Sequence, residues 1–328
     1  MKCVLRIIRP AENRLKENNM TEERLITFPD QWITAATFEQ ALLRAWSGAC
    51  SSPSKNTTIT FSFPPSCKVM VDTAVRLLSL ANQLAAAGIP VTFAFDGEQH
   101  EAISYLNRAY FFPLLSERVQ VLPKRPDPER TARYQGQSPR LVEFRALHPR
   151  YDEAVKAVPL QLADALEAAI TRYPSSQQFD QTPYTLFSEL INNVNDHSQT
   201  ELDGFAALQV YQQRVLVVVS DSGIGLLETL RPKLLSQEAQ HLEDAELIRR
   251  FFRGELDWDD RNKGQGLREC ARRSLKHWGS VDIRLATSRV FFPPSRSGYE
   301  RTNVQYSQGL APLRGTHISF SFPLDRSM

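Results

Sequence analysis

The chain has 328 residues, with 39 Lys and Arg against 37 Asp and Glu and a formal net charge of +2. That length suits about two domains, each able to bury a core of its own. The 42% hydrophobic and 23% charged composition excludes wholesale disorder, and so small a net charge demands no nucleic-acid partner. No apolar run reaches the roughly 18 residues of a membrane helix, and no membrane partner is expected. The N-terminus lacks the small-residue cleavage site of a secretory signal. Cys3, Cys50, Cys67 and Cys270 are scattered with no CxxC pair, which argues against zinc or a disulfide framework and fits a cytoplasmic protein.

In chain order, residues 1–27 read as an N-terminal extension. The run TTITFSF at 57–63, ended by Pro64-Pro65, predicts a strand. Ala74, Val75, Leu77, Leu78, Leu80, Ala81 and Leu84 then recur at helical spacing, with Gly88 placed as a C′ residue. Pro90–Phe95 predicts a second strand and Glu98–Arg108 a second helix. Strand and helix alternate with short turns, so residues 28–120 form a small α/β domain. Residues 121–150 change character. Five prolines and seven Lys or Arg against three Asp or Glu, counted over 123–150, read as a basic connector between domains.

From 151 the helical pattern resumes through Val155, Val158, Leu162, Leu166 and Ile170, with Pro159 placed to kink it. Thr182-Pro183 reads as the N-cap and first residue of another helix running through Val194. Phe205–Tyr211 and Arg214–Ser220 predict two strands, the second apolar on both faces and therefore central.

Three segments of the second half carry chemistry. In FSELINNVNDHS, Glu189, Asn193 and His197 fall at i, i+4 and i+8 on one helix face. In VVVSDSGIGL, an apolar strand ends at Asp221, followed by Gly223 and Gly225. A carboxylate there can accept from an exocyclic amine, and the glycines let backbone pass close to a ligand. In NKGQGLRECARR, Gly264 and Gly266 precede a helix, whose free N–H groups suit phosphate, with Lys263 or Arg268 adding charge.

In this order the segments resemble the nucleotide boxes of the GHKL ATPases: gyrase B subunits, heat-shock chaperones, sensor histidine kinases and mismatch-repair ATPases. Glu189-Leu-x-x-Asn193 is similar to the N box. Asp221-Ser-Gly-Ile-Gly225 and Gly264-Gln-Gly-Leu267 are similar to the two glycine boxes. Gly315-Thr316, before the strand-like His317–Phe322, is similar to the last box. The resemblance covers residues 180–322 and implies a Bergerat-type α/β sandwich over 151–328, with ATP and Mg²⁺ as ligands. It implies that Asn193 coordinates Mg²⁺ and that Asp221 holds the adenine amino group. Gly223, Gly225, Gly264 and Gly266, with Lys263, Gln265 and Leu267, would shape the adenine and phosphate loops. Thr316 would assist near adenine through a water. Glu189 would be the general base for hydrolysis, and His197 would contact phosphate. The 38 residues between Gly225 and Gly264 would form a lid.

The 28–120 pattern, ending in Tyr105-Leu-Asn-Arg108 and Phe111-Phe112, resembles a STAS-like domain, the fold of anti-sigma-factor antagonists. The stretch 63–73 departs from the phosphorylated loop of that family, so Ser66 and Thr73 are poor phosphosites. A docking or dimerisation role follows, with a partner protein or a second copy of the chain on this half.

A sensor histidine kinase needs an acceptor histidine on a helical hairpin. Neither His100 nor His148 sits on one, and both read as surface residues. Three functional readings remain. The first is an ATP-dependent conformational switch with slow hydrolysis. The second is an ATP-binding regulatory or assembly module without turnover, as in a bacterial defence or toxin–antitoxin system. The third is an anti-sigma-factor-like serine kinase. Separately, the stretch 290–314 interleaves Phe291, Phe292, Tyr299 and Tyr306 with Arg289, Arg296, Arg301 and Arg314, a composition that suits single-stranded nucleic acid.

Overall fold

The computed structural model describes residues 22–46, 56–97, 100–148, 153–171, 182–197, 199–256, 265–295 and 303–324. The first half runs β1 (Glu22–Thr27), β2 (Trp32–Ile33), α1 (Ala35–Trp46), β3 (Thr57–Phe63), β4 (Lys68–Val69), α2 (Val71–Ala86), β5 (Val91–Phe95), α3 (Glu101–Arg108), α4 (Phe111–Leu114) and β6 (Gln120–Leu122). β1, β3, β5 and β6 pair in that order, all parallel, and β2 pairs with β4. Alternation explains the sheet. Ile59, Phe61 and Phe63 of β3 are fully buried, while Thr58, Thr60 and Ser62 point to the other face and are only partly covered. From the next strand, Phe93 of β5 meets Phe61 edge-on and Phe95 stacks on Phe63.

The connector holds α5 (Pro128–Ala132) and β7 (Leu141–Leu147). Then follow α6 (Glu153–Ile170), α7 (Thr182–His197), β8 (Gly204–Val210), β9 (Arg214–Ser220), α8 (Leu226–Leu230), α9 (Gln237–Gln240), α10 (Asp244–Arg253), α11 (Gln265–Lys276), β10 (Ser280–Arg284), β11 (Arg289–Phe292), β12 (Gln305–Ser307) and β13 (His317–Pro323). Seven strands form one antiparallel sheet in the order β12-β11-β10-β13-β9-β8-β7. Residues of α6, α7 and α11 share one core with one face of that sheet. Val215, Val217 and Val219 of β9 face this core, whereas Leu216 and Val218 face the other way. The chain is therefore mixed α/β, with a four-stranded parallel sheet, a seven-stranded antiparallel sheet and the short parallel β2–β4 pair.

The expected boundaries shift at two places. β1 lies inside the stretch read as an N-terminal extension (1–27), and it is an edge strand of the first sheet. The stretch 121–150 is not a free basic linker, because β7 joins the large sheet as its edge strand beside β8. Arg125 is also no solvated charge. Its guanidinium donates to the carbonyls of Phe112, Leu115, Ser116 and Val119 at 2.8–3.1 Å. Pro159 sits within α6, which continues through it.

α2 joins the halves. Thirteen of its 16 residues are buried, too many for a surface helix with one wet face. It packs against β5 on one side and against β8 and β9 on the other. Phe205, Leu216 and Val218 of the large sheet, with Ala311 and Leu313, belong to the same core as the first half. The layers run sheet, helices, sheet, helices. Polar residues on this shared layer are buried with it. Glu39 of α1, Arg76 of α2 and Arg284 of β10 form ion pairs across the joint, and Arg76 reaches Asp282 at 3.2 Å. Asp282 in turn takes both arms of Arg289, at 2.8 and 2.9 Å.

Candidate functional site

The antiparallel pairing of β9 with β13 sets Ser220 opposite His317. Asp221 and Thr316 therefore face each other just beyond the last pair. The Asp221 N–H donates to the Thr316 carbonyl at 2.9 Å. In return the Thr316 N–H donates to Asp221 Oδ2 at 3.1 Å. Gly223 N–H donates to Asp221 Oδ1 at 2.8 Å. The carboxylate is 8% exposed. Burial pushes its pKa up to about 6, and the bonds from Gly223 and Thr316 oppose that rise. The Thr316 hydroxyl accepts the N–H of Leu226 at 3.0 Å and so ties the strand to the start of α8.

Backbone crowding explains the glycine at 315. It has φ +90, and a Cβ there would overlap the backbone carbonyl of Asp221. Gly315→Ala is expected to cost at least about 2 kcal/mol, from strained φ plus a contact that rigid backbone cannot relieve. Urea denaturation checks this, and a loss below about 0.5 kcal/mol would contradict the crowding.

Asp221 lies on the wall of a cavity whose apolar lining is Leu190, Val219, Leu226, Leu230, Phe251 and Ile318. Asn193 of α7, Gly225, Thr229, Gly266 and Thr316 are among its other lining residues. The cavity has a volume of about 90 Å³. Glu189 is one turn before Asn193 on α7, exposed and packed over Gly266. A Cβ on Gly266 would stand 2.6 Å from Glu189 Oε2, so the glycine leaves room for the carboxylate.

Asn193, Asp221, Gly225, Gly266, Leu267 and Thr316 line this one cavity, and Gly223 holds Asp221. Glu189 is at its margin. Lys263 and Gly264 lie outside the described residues, as do the side chains of His197 and Gln265. Gly266 falls in the first turn of α11 instead of preceding the helix. Lys233 and Thr229 also line the cavity and were not singled out from sequence. No spacing pattern flags Lys233, which a turn after α8 brings to the wall. Ser222, beside Asp221, is buried with a hydroxyl that has no hydrogen-bond partner among the described residues.

Several other expectations change. His100 is buried, not at the surface: its Nδ1 caps α3 by accepting from Ala102 N–H at 3.2 Å. His148 is half exposed and sits 2.6 Å from Asp203. Thr73 is 1% exposed and closed to modification, whereas Ser66 is exposed. Of the aromatic and basic residues at and beside 290–314, Phe292 is core and Arg289, just before the stretch, is bound to Asp282. Arg296, Tyr299 and Arg301 lie outside the described residues. No helix among the described residues is long and apolar enough to cross a membrane. No group of three or more His, Cys, Asp or Glu among them could hold a metal ion.

Comparison with known protein families, with curated proteins and with solved structures finds no match to the chain.

Proposed function

We propose that the chain binds Mg·ATP in the cavity at the ends of β9 and β13 and acts as an ATP-dependent conformational switch. The observation that carries this reading is Asp221. A buried carboxylate, oriented by two backbone N–H groups at the wall of an apolar slot, suits one donor at the edge of a flat ring, and adenine has such an amino group. The residues present fit the ligand. Asn193, which lines the cavity, would hold Mg²⁺ through its amide oxygen. Leu190, Val219 and Ile318 would enclose the ring, and Thr316 would sit beside it. Bound Mg²⁺ would offset phosphate charge and orient the terminal phosphate. Glu189, exposed at the margin over Gly266, would accept the proton of an attacking water in slow hydrolysis.

The switch reading rests on the joint. Gln83 of α2 grips the backbone of Arg314 from both sides, with Nε2 donating to its carbonyl and Oε1 accepting its N–H, each at 3.0 Å. Arg314 precedes Gly315-Thr316, so the strand that touches Asp221 is tied to the first half. A ligand that moves Thr316 pulls on α2. The STAS-like reading of that half makes it the surface where a partner protein, or a second copy of the chain, would respond.

Calorimetry with a non-hydrolysable ATP analogue and Mg²⁺ tests the proposal. Micromolar binding is expected, weakened about tenfold or more in Asn193→Ala. Absence of heat with the unmodified chain sinks the reading. A second reading, binding without turnover, draws on the exposure of Glu189, which leaves its carboxylate in water. Glu189→Ala separates the two: binding is retained in both, and only the switch with hydrolysis loses its phosphate release.

A further inference from the structure

A second cleft opens at the other end of the same strands. β9 runs seven residues from Arg214 to Ser220, roughly 20 Å at 3.3 Å per residue. Asp221 lies past one end, and Tyr211 precedes the other. The cleft there has a volume of about 780 Å³, within the range of ligand sites. Three parts of the chain build it: β2, β4 and α3 of the first half, the connector before β7, and the β8 end with Tyr211.

Its walls combine exposed rings with cations. Trp32 is 48% exposed and Tyr134 43%, unusual for rings that line a cleft without covering one another. Both are held in place. The ring of Tyr211 meets Trp32 edge-on at 6.2 Å, and the Tyr211 hydroxyl accepts the Val71 N–H at 3.0 Å. Tyr134 sits on a turn clamped by buried Glu143, which accepts the Gly136 N–H at 2.7 Å. Lys68 stands 6.0 Å over the Trp32 ring and pairs with Glu101 at 3.3 Å. Arg108 and Arg140 also line the cleft, and neither guanidinium has an ion pair among the described residues. Glu101 is the sole carboxylate of the lining, so the cleft carries an excess of positive charge.

We propose that this cleft binds a nucleotide: a base stacks on Trp32 or Tyr134, and phosphate is held by Arg108 and Arg140. Fixed aromatic faces and separate arginines are the two elements that sequence-tolerant nucleotide binding requires. The walls hold too many polar groups for an apolar side chain to be the natural occupant. The same chemistry is offered by a free nucleotide and by a stretch of single-stranded nucleic acid. The site is independent of the Asp221 cavity and does not rest on that reading.

The test uses the full chain carrying Asp221→Asn, which weakens nucleotide binding at the first cavity. Labelled single-stranded RNA and DNA of about a dozen nucleotides are titrated by anisotropy, and uridine monophosphate by quenching of Trp32. Oligonucleotide binding with no response to the monophosphate assigns the source to nucleic acid; the converse assigns it to free nucleotide. In either case Trp32→Ala and Tyr134→Ala are expected to weaken binding, at least one of them about tenfold. Arg140→Gln is expected to lower the slope of log affinity against log salt by about 0.7, whereas Arg140→Lys keeps it. These side chains are exposed, so unchanged melting of each variant separates lost binding from lost fold. No binding to any probe at low salt overturns the proposal. So does binding that Trp32→Ala, Tyr134→Ala and Arg140→Gln all leave intact.

Discussion

Arg284→Met is expected to destabilise the protein by about 3–5 kcal/mol, because it strands a carboxylate in the joint between the halves. Arg284 is fully buried. Its guanidinium forks onto Glu39, with Nε to Oε1 at 2.8 Å and Nη2 to Oε2 at 3.1 Å. It also donates to the carbonyls of Leu285 and Ala311. After the substitution Glu39 keeps only Arg76, 3.7 Å away and without hydrogen-bond alignment. A buried carboxylate so poorly compensated costs more than the lost pair ever contributed. The double variant Glu39→Leu with Arg284→Met removes both charges and is expected to recover more than half of the loss. Urea denaturation of the two variants decides. A loss under about 1 kcal/mol, or a double variant no better than the single one, would show that the pair carries no such weight.

The same cluster bears on how the Asp221 cavity reaches the first half. Arg284 pairs in register with His317, the residue after Thr316. His317 is fully buried, and its pKa is pushed down to about 3 by burial and by the nearby Arg76 and Arg284 guanidiniums. It stays neutral at every physiological pH and adds no charge of its own. Arg76, Arg284 and Arg289 face Glu39, Asp282 and Asp72. Burial raises the pKa of Asp72, against the pull of Arg76. Such a cluster fixes one relative placement of the halves, because sliding α2 by a turn would leave several charges unpaired.

Local patterns were readable where they answer to local physics. TTITFSF and RVLVVVS fold as the strands their β-branched content predicts, and the helix at 71–86 appears where its apolar spacing puts it. The cavity residues were readable because boxes separated by tens of residues each carry their own signal, an Asp after an apolar strand or a glycine at a helix start. The joint was not readable. Asp72 and Arg76 interrupt the apolar pattern of α2 and look like a solvent face. Asp282, the partner of Arg76, lies some 200 residues later on another strand. The connector hid β7 for a related reason. LVEFRAL places Glu143 and Arg145 within the strand, and its prolines suggest loop. Yet Glu143 is buried because it accepts the Gly136 N–H, and the register slips between Val142 and Arg145 to accommodate it. His100 escaped because a cap looks like any histidine before a helix.

Asp221→Asn should separate stability from nucleotide affinity, each with its own pH dependence. In the folded chain the Asp221 carboxyl titrates at about 6, against 3.8 for an ordinary aspartate. At about 1.4 kcal/mol per pH unit, ionising it costs up to about 3 kcal/mol more in the folded chain than in the unfolded one. Below pH 4 the group is neutral in both states and imposes no cost. As pH rises the unfolded chain ionises first, so stability falls until about pH 6 and then levels. Asp221→Asn cannot ionise. Its stability relative to the unmodified chain is therefore expected to improve by as much as about 3 kcal/mol between pH 4 and pH 7, as read from urea denaturation at several pH values. Affinity should move the other way. An amino group donating to Asp221 favours the ionised carboxylate, so nucleotide binding should be level above pH 6 and weaken up to tenfold per unit below it. In Asp221→Asn that pH dependence should vanish and affinity at pH 7 should fall tenfold or more, because an amide oxygen without charge accepts less strongly. An inosine nucleotide, which lacks the amino group, should bind the unmodified chain more weakly than the adenine nucleotide by a similar factor. Equal affinities for the two nucleotides, or a variant that binds as well as the parent at pH 7, would mean that Asp221 does not read the base.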